Sequence, residues 1–274
     1  MQKKIIFQFF LPWFLILNGC NKELDNPLKS TDVTYIFSQG DAFVSQKKYP
    51  QALQLYERAA PMLRGTESAK DLIFKTAMAN FYDKNYSLAA HQFKNFHSSY
   101  LQDERAEEAL FHSAYSYYMS SPDYNLDQSS TYAAIEELQN FINQYPGSKK
   151  ILEVNTFIQT LTKKLEKKYF EIAKIYHDIM RYKAAVKAFE QLINDFPESP
   201  LREKAEYYRL DAQYELAIHS DPSLEKERLE EVLTMVENFR KSYSDSQHKE
   251  EIIKIERRVS QNLKHINELS ALKK

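Results

Sequence analysis

The sequence predicts an all-α protein: an array of about five helical hairpins, wound as a right-handed solenoid and closed by a C-terminal capping helix. Three observations predict it. Apolar residues recur at i, i+4 and i+7, which puts them on one face of a helix. Glycine is scarce, 4 residues in 274, which argues against sheets with tight hairpins and against a glycine-rich phosphate loop. One pattern also repeats along the chain: a small residue, a large apolar residue four on, an apolar residue three further, then an aromatic that is often followed by proline.

The chain opens on a segment that reads as an export signal. Lys3 and Lys4 precede an apolar run, Ile5 to Leu17, that is too short for an ordinary membrane span and contains Pro12. Leu17-Asn18-Gly19-Cys20 then resembles a lipobox, from which we expect residues 1–19 to be a lipoprotein signal peptide and Cys20 the lipidated N-terminus of the mature chain; the other reading is an ordinary cleaved signal peptide with Cys20 merely nearby. Cys20 is the only cysteine, so it has neither a disulfide partner nor a second thiol for a metal. Acyl chains contribute roughly 0.8 kcal/mol per buried CH2, and two suffice for stable anchoring. Residues 20–32 are polar, contain Pro27 and show no apolar period, so they read as a flexible tether reaching at most about 40 Å at roughly 3.3–3.6 Å per residue.

The repeats follow at about 33–61, 70–101, 106–146, 166–197 and 202–244. Their second helices carry the motif as Ala52, Tyr56, Ala59; Ala89, Phe93, Phe96, Tyr100; Ala134, Leu138, Phe141, Tyr145, Pro146; Ala185, Phe189, Leu192, Phe196, Pro197; and, in degenerate form, Val232, Val236, Phe239, Tyr243. A small residue lets the first helix of the hairpin approach, and the large residue fills the gap toward the next repeat. Proline stops the helix because it has no N–H and biases its predecessor away from αR. The first helices place Ile36, Gly40, Phe43; Ile73, Ala77, Phe81; Leu110, Ala114, Tyr117; and Tyr169, Ala173, Tyr176 on one face each. The fifth is less clean, with Tyr207, Tyr208, Leu210 and Tyr214. Lys48-Tyr49, Asn85-Tyr86 and Arg181-Tyr182 close three hairpins, matching the tetratricopeptide (TPR) pattern.

The spacing departs from a strict 34-residue TPR, since the small residues stand at 52, 89, 134, 185 and 232. Insertions account for this. One is Ser120–Ser130 in the third hairpin, which is either a packed surface loop or a partner-contact loop. Another is Ser220–Glu225 in the fifth, and residues 147–165 lengthen the first helix of the fourth. Residues 248–264, with Ile252, Ile255, Val259 and Leu263, form an amphipathic cap, and 265–274 a polar tail.

Composition and motif searches exclude several functions. The 37 Lys and Arg nearly balance 38 Asp and Glu, and loss of Lys3 and Lys4 with the signal leaves 35 against 38, a net charge of −3. That gives no footprint for nucleic acid. His91 and His97 fall on different sides of a helix, and His177 and Asp178 are not at a facing spacing. Glu107-Glu108, Glu136-Glu137 and Glu230-Glu231 read as solvated helix faces. No catalytic or metal-binding motif is found, so we expect no enzyme, no cofactor and no metal site.

Lipobox, short tether, five repeats and an inserted third hairpin together resemble the BamD family, the TPR lipoproteins of the bacterial outer-membrane β-barrel assembly machine. The phrases that carry the resemblance are Pro61-Met-Leu-Arg-Gly-Thr-Glu67, Ser121-Pro-Asp-Tyr-Asn-Leu-Asp-Gln128, Ala134-Ile-Glu-Glu-Leu-Gln-Asn-Phe-Ile142 with Tyr145-Pro146, and Tyr182-Lys-Ala-Ala185 with Phe196-Pro197. The resemblance implies a lipid-anchored scaffold on the periplasmic face of the outer membrane, bound to a BamA-like barrel protein and to unfolded outer-membrane protein segments. Two other readings of the repeats are a different periplasmic TPR scaffold and a glycan-binding lipoprotein.

Overall fold

The computed structural model describes residues 22–272; the expected signal peptide and Cys20 lie outside the described residues. Those residues form helices and turns, with no strand among them. In chain order the helices are α1 (Lys22–Lys29), α2 (Val33–Ser45), α3 (Tyr49–Leu63), α4 (Ser68–Tyr82), α5 (Tyr86–Ser99), α6 (Ala106–Ser120), α7 (Ser129–Gln144), α8 (Ile151–Asp178), α9 (Tyr182–Asp195), α10 (Arg202–Ile218), α11 (Pro222–Ser242) and α12 (Lys249–Leu272). They fall into two compact units, Met1–Ser113 and Ala114–Lys274, divided within α6.

In the first unit, α2 and α3 pair as one hairpin and α4 and α5 as the next. Asp32 starts α2 by accepting from the Thr34 and Tyr35 N–H groups at 2.9 and 3.2 Å, which satisfies donors that the first turn leaves unpaired. Helix α4 is buried on two sides. Leu72 and Ala79 join the core of the first hairpin, while Phe74 and Ala77 pack with Ala89, Phe93 and Phe96 of α5. Phe74 meets Phe93 and Phe96 edge-on, at 5.7 and 5.2 Å between centroids. The buried Ser113 hydroxyl donates to the Ala90 carbonyl at 3.0 Å.

In the second unit, α10 is the helix with two buried sides. Ala205 and Ala212 close on Phe170, Ala173, Ala185 and Phe189 of α8 and α9. Leu210, Tyr214 and Ala217 face Val232 and Val236 of α11 and Ile252, Ile255 and Val259 of α12. Every expected packing position is buried: Gly40, Ala52, Tyr56, Ala77, Ala89, Phe93, Ala114, Ala134, Leu138, Ala173, Ala185 and Phe189.

Two turns recur with the same hydrogen bonds. Between the helices of a hairpin, one residue takes a left-handed conformation: Lys47 (φ 59), Lys84 (φ 64) and Met180 (φ 59). The next N–H reaches back five residues, Lys48 to Phe43, Asn85 to Asn80 and Arg181 to Tyr176, at 2.8–2.9 Å. This is a Schellman closure with a non-glycine residue at its left-handed position. Between hairpins the chain runs Tyr100 to Asp103, Tyr145 to Ser148, Phe196 to Ser199 and Tyr243 to Ser246. In each case the last residue's N–H bonds the aromatic's carbonyl, and its side chain accepts from the N–H two residues on, in Arg105, Lys150, Leu201 and His248.

Several boundaries differ from the sequence expectation. Residues 22–29 are helix α1, not tether, because Leu24 and Leu28 bury against the first hairpin. Ser220–Glu225 falls at a helix end, where Asp221 caps α11 by accepting from the Ser223 N–H at 2.9 Å and the extra residues lengthen the helix. The expected polar tail continues α12 to Leu272, with Ile266 against the terminal core. Residues 147–165 lie mostly within α8, which begins at Ile151. Ile73 and Tyr176, expected to face inward, are 36% and 39% exposed: Phe74 takes the inner place beside Ile73, and Tyr176 lies toward the outer side of α8 with Ile172 and Ile179.

Candidate functional site

Helix α8 carries an apolar seam longer than the surface that covers it. Val154, Leu161 and Leu165 lie on one line of the helix and are at most 2% exposed. Phe157 continues the line and stacks on Tyr115 and Tyr118 of α6 at 5.0 and 4.4 Å. Helix α7 packs beside this first half. The same line then runs on through Ile172, Ile175, Tyr176 and Ile179, spaced i, i+3, i+4 and i+7, and these are 39–57% exposed. Met180 in the following turn is 73% exposed. Scattered exposed apolar residues need no explanation, but a stripe at helical spacing fits contact with another protein.

The opposite side of the same segment is fixed. His177 Nε2 lies 2.7 Å from Asp211 Oδ2 on α10, and its ring meets Tyr182 and Tyr208 edge-on. The Asp211 hydrogen bond, opposed by burial, holds the imidazole above its ordinary pKa. Asp178, the sequence neighbour of His177, lies at 3.5 Å and pairs with Lys174 at 2.5 Å.

Asp211 stands 34 residues after His177, and two other ion pairs use the same offset. Lys75 reaches Asp41 at 2.6 Å, and Arg105 reaches Asp71 at 2.8 Å. Asp41 also accepts from the Tyr56 hydroxyl at 2.7 Å; burial first, then this carboxylate, pushes that hydroxyl up. Arg105 holds the Asp103 carboxyl well below the usual range. These groups were missed in the sequence, where the small-residue spacing hides the 34-residue period. A search for opposite charges at that offset would have found them.

The Ser120–Ser130 insertion is clamped to α8. Lys164 Nζ donates to Ser121 Oγ at 2.7 Å and to the Pro122 carbonyl at 2.9 Å, and Lys168 donates to the Leu126 carbonyl. Lys167 sits 4.1 Å from the Tyr124 ring centre. Gln128 is buried and donates to the Asp123 and Leu126 carbonyls. The geometry is that of a packed surface loop, with the Leu126 side chain left 55% exposed.

No group of three His, Cys, Asp or Glu residues among those described is placed to hold a metal ion. None of the described helices is long and apolar enough to cross a membrane.

Buried small residues at each hairpin, repeated Schellman turns and an uncovered apolar seam define an all-α, TPR-like repeat protein. The chain belongs to the YfiO family of outer membrane lipoproteins, whose model matches residues 29–229. It is 23% identical over 210 residues to the outer membrane protein assembly factor BamD of Rickettsia prowazekii (strain Madrid E), covering 76% of this chain and 82% of that protein. Solved structures similar to it include the TPR2AB-domain:pHSP90 complex of yeast Sti1 (14% identity, 83% of this chain, 98% of that one, TM-score 0.40). A tetratricopeptide repeat protein from Parabacteroides merdae is similar at 13% identity, with 83% and 98% covered and a TM-score of 0.35.

Proposed function

We propose that this chain is a lipid-anchored, non-catalytic scaffold of the outer-membrane β-barrel assembly machinery. It docks to a BamA-like barrel protein on the periplasmic face of the outer membrane and helps unfolded outer-membrane protein segments reach it. The observation that carries this reading is the family match over residues 29–229, joined by the likeness to an assembly factor over 76% of the chain. The uncovered half of the α8 seam supports a protein-binding role, because an apolar stripe on a fixed helix can receive a partner without rearranging.

Affinity purification of the tagged full-length protein from detergent-solubilised envelope, with partners identified by mass spectrometry, tests this. Recovery of a BamA-like barrel protein is the expected result. A different stable partner, such as a glycan transporter, would sink the assigned pathway.

A further inference from the structure

The turn that ends the α8 seam opens onto a recess of about 520 Å³. Its apolar lining is Met180, Tyr182, Ala184 and Leu216, and Tyr182 stacks on His219 at 5.9 Å between ring centres. Arg181, Lys183 and Lys187 complete it. All three cations are exposed, and no carboxylate among the described residues lies within ion-pair distance of them. Their neighbours behave differently: Lys174 pairs with Asp178, and His219 has Glu215 at 3.7 Å. The recess therefore offers an apolar floor beneath three positive charges that no carboxylate among the described residues pairs with directly, while Glu215 and Asp211 of α10 act on Tyr182 from the other side.

The left-handed residue makes this possible. With Met180 at φ 59 the chain reverses in one step, so α8 ends with its seam exposed and α9 begins immediately beside it. Arg181 and Lys183 flank Tyr182 in sequence, and Lys187 follows one helical turn after Lys183. Met180 belongs both to the end of the seam and to the recess, so the two surfaces are continuous.

The geometry points to this recess as the docking site for an acidic, amphipathic peptide segment of a partner protein. The segment's large apolar side chain enters between Met180, Tyr182 and Leu216, its carboxylates meet Arg181, Lys183 and Lys187, and its apolar face continues along Ile179, Ile175 and Ile172. Charge complementarity selects this occupant: unpaired cations around an apolar pocket favour carboxylates and reject a basic segment. An anionic lipid surface shares the charge but not the shape. A lipid headgroup layer presents no large apolar side chain to seat between Met180, Tyr182 and Leu216. The proposal rests on the protein-binding reading above and assigns part of that binding to one place.

The test is fluorescence anisotropy with the detergent-solubilised full-length protein. The probe is a fluorescein-labelled, glutamate-rich peptide carrying one leucine and one phenylalanine, compared with its lysine-for-glutamate analogue. We expect the acidic peptide to bind, more weakly as salt rises, and the basic one not to bind. The exposed triple change Arg181→Glu, Lys183→Glu and Lys187→Glu should weaken the acidic peptide at least about tenfold and gain the basic one. An unchanged circular dichroism melt shows that the variant is folded. Equal binding of both peptides, or full binding by the folded triple variant, overturns the proposal. So does finding that the triple change instead abolishes self-association, or retention on phosphatidylglycerol vesicles, with no effect on peptide. If the folded variant still recovers a BamA-like protein from envelope while peptide binding never occurs, the proposal fails and the scaffold reading stands.

Discussion

Gly40 lacks a side chain because Tyr56 fills the space beside it. A Cβ built there would lie 2.5 Å from Tyr56 Cε1 and 2.8 Å from Cδ1. The ring cannot swing away: Tyr56 is 1% exposed and its hydroxyl is tied to Asp41. Gly40→Ala gains about 1 kcal/mol of helix propensity, and overpacking a tight core costs about 1–3 kcal/mol. We therefore expect net destabilisation, read as a lower urea midpoint. Combining it with Tyr56→Leu should remove most of the steric part, so the two changes should be strongly non-additive. Simple additivity would show that Tyr56 is not what excludes the side chain.

At the same scale, His177 makes stability depend on pH. Its folded pKa is raised, chiefly by Asp211 at 2.7 Å and opposed by burial. The folded state thus binds the proton more tightly than the unfolded chain does. The charge-dependent stabilisation is full below the ordinary histidine value of about 6.5, and it is lost as pH rises through the higher folded value. Urea unfolding of His177→Gln beside the parent, at acid, neutral and alkaline pH, should show a deficit that shrinks as pH increases. A deficit that is flat across the series, or grows, would mean that the imidazole contributes by packing on Tyr182 and Tyr208 alone.

Among the elements, the turns and α8 decide most of the local architecture. Lys47, Lys84 and Met180 hold left-handed backbone with a side chain attached, which glycine would adopt without steric cost. Lys84→Gly should stabilise the α4–α5 hairpin by roughly 0.5–1 kcal/mol, while Lys84→Ala should give no such gain. Thermal unfolding of both variants checks this, and equal midpoints would show that the turn is unstrained. The second helices were legible in sequence because Ala89, Phe93 and Phe96, or Ala185, Phe189 and Leu192, fall on a single buried stripe. The first helices were less legible, since α4 and α10 bury two sides and a one-face reading misplaces Ile73. The α8 seam escaped notice for a related reason. Its apolar periodicity runs from Val154 to Ile179, interrupted at Lys168, and which half is covered depends on where α6 and α7 end. The four interhelical turns were open to reading, as an aromatic followed three residues later by Asp or Ser, but the signal lies outside the helices where periodicity is sought.

On the scale of the whole molecule, α1 alters what an anchor at Cys20 would do. A tether of the length expected from sequence would let the folded part stand off by tens of ångströms. Instead α1 begins two residues after Cys20 and buries Leu24 and Leu28 against the first hairpin. Two extended residues span about 7 Å. If Cys20 is lipidated, the first hairpin is held at the membrane surface. Cys20→Ser should then move the protein from the membrane to the soluble fraction without changing its thermal midpoint. The spacing itself is testable with a dye on Thr31→Cys, next to the end of α1, and an acceptor on the lipid headgroups of reconstituted vesicles. Energy transfer should be strong in the parent. It should fall when a Gly/Ser linker of about twenty residues, with a root-mean-square reach of roughly 25 Å, is inserted between Asn21 and Lys22. Weak transfer in both proteins would mean that α1 does not stay docked when the chain is anchored. Strong transfer in both would mean that some other surface, rather than the short connection, keeps the first hairpin against the bilayer.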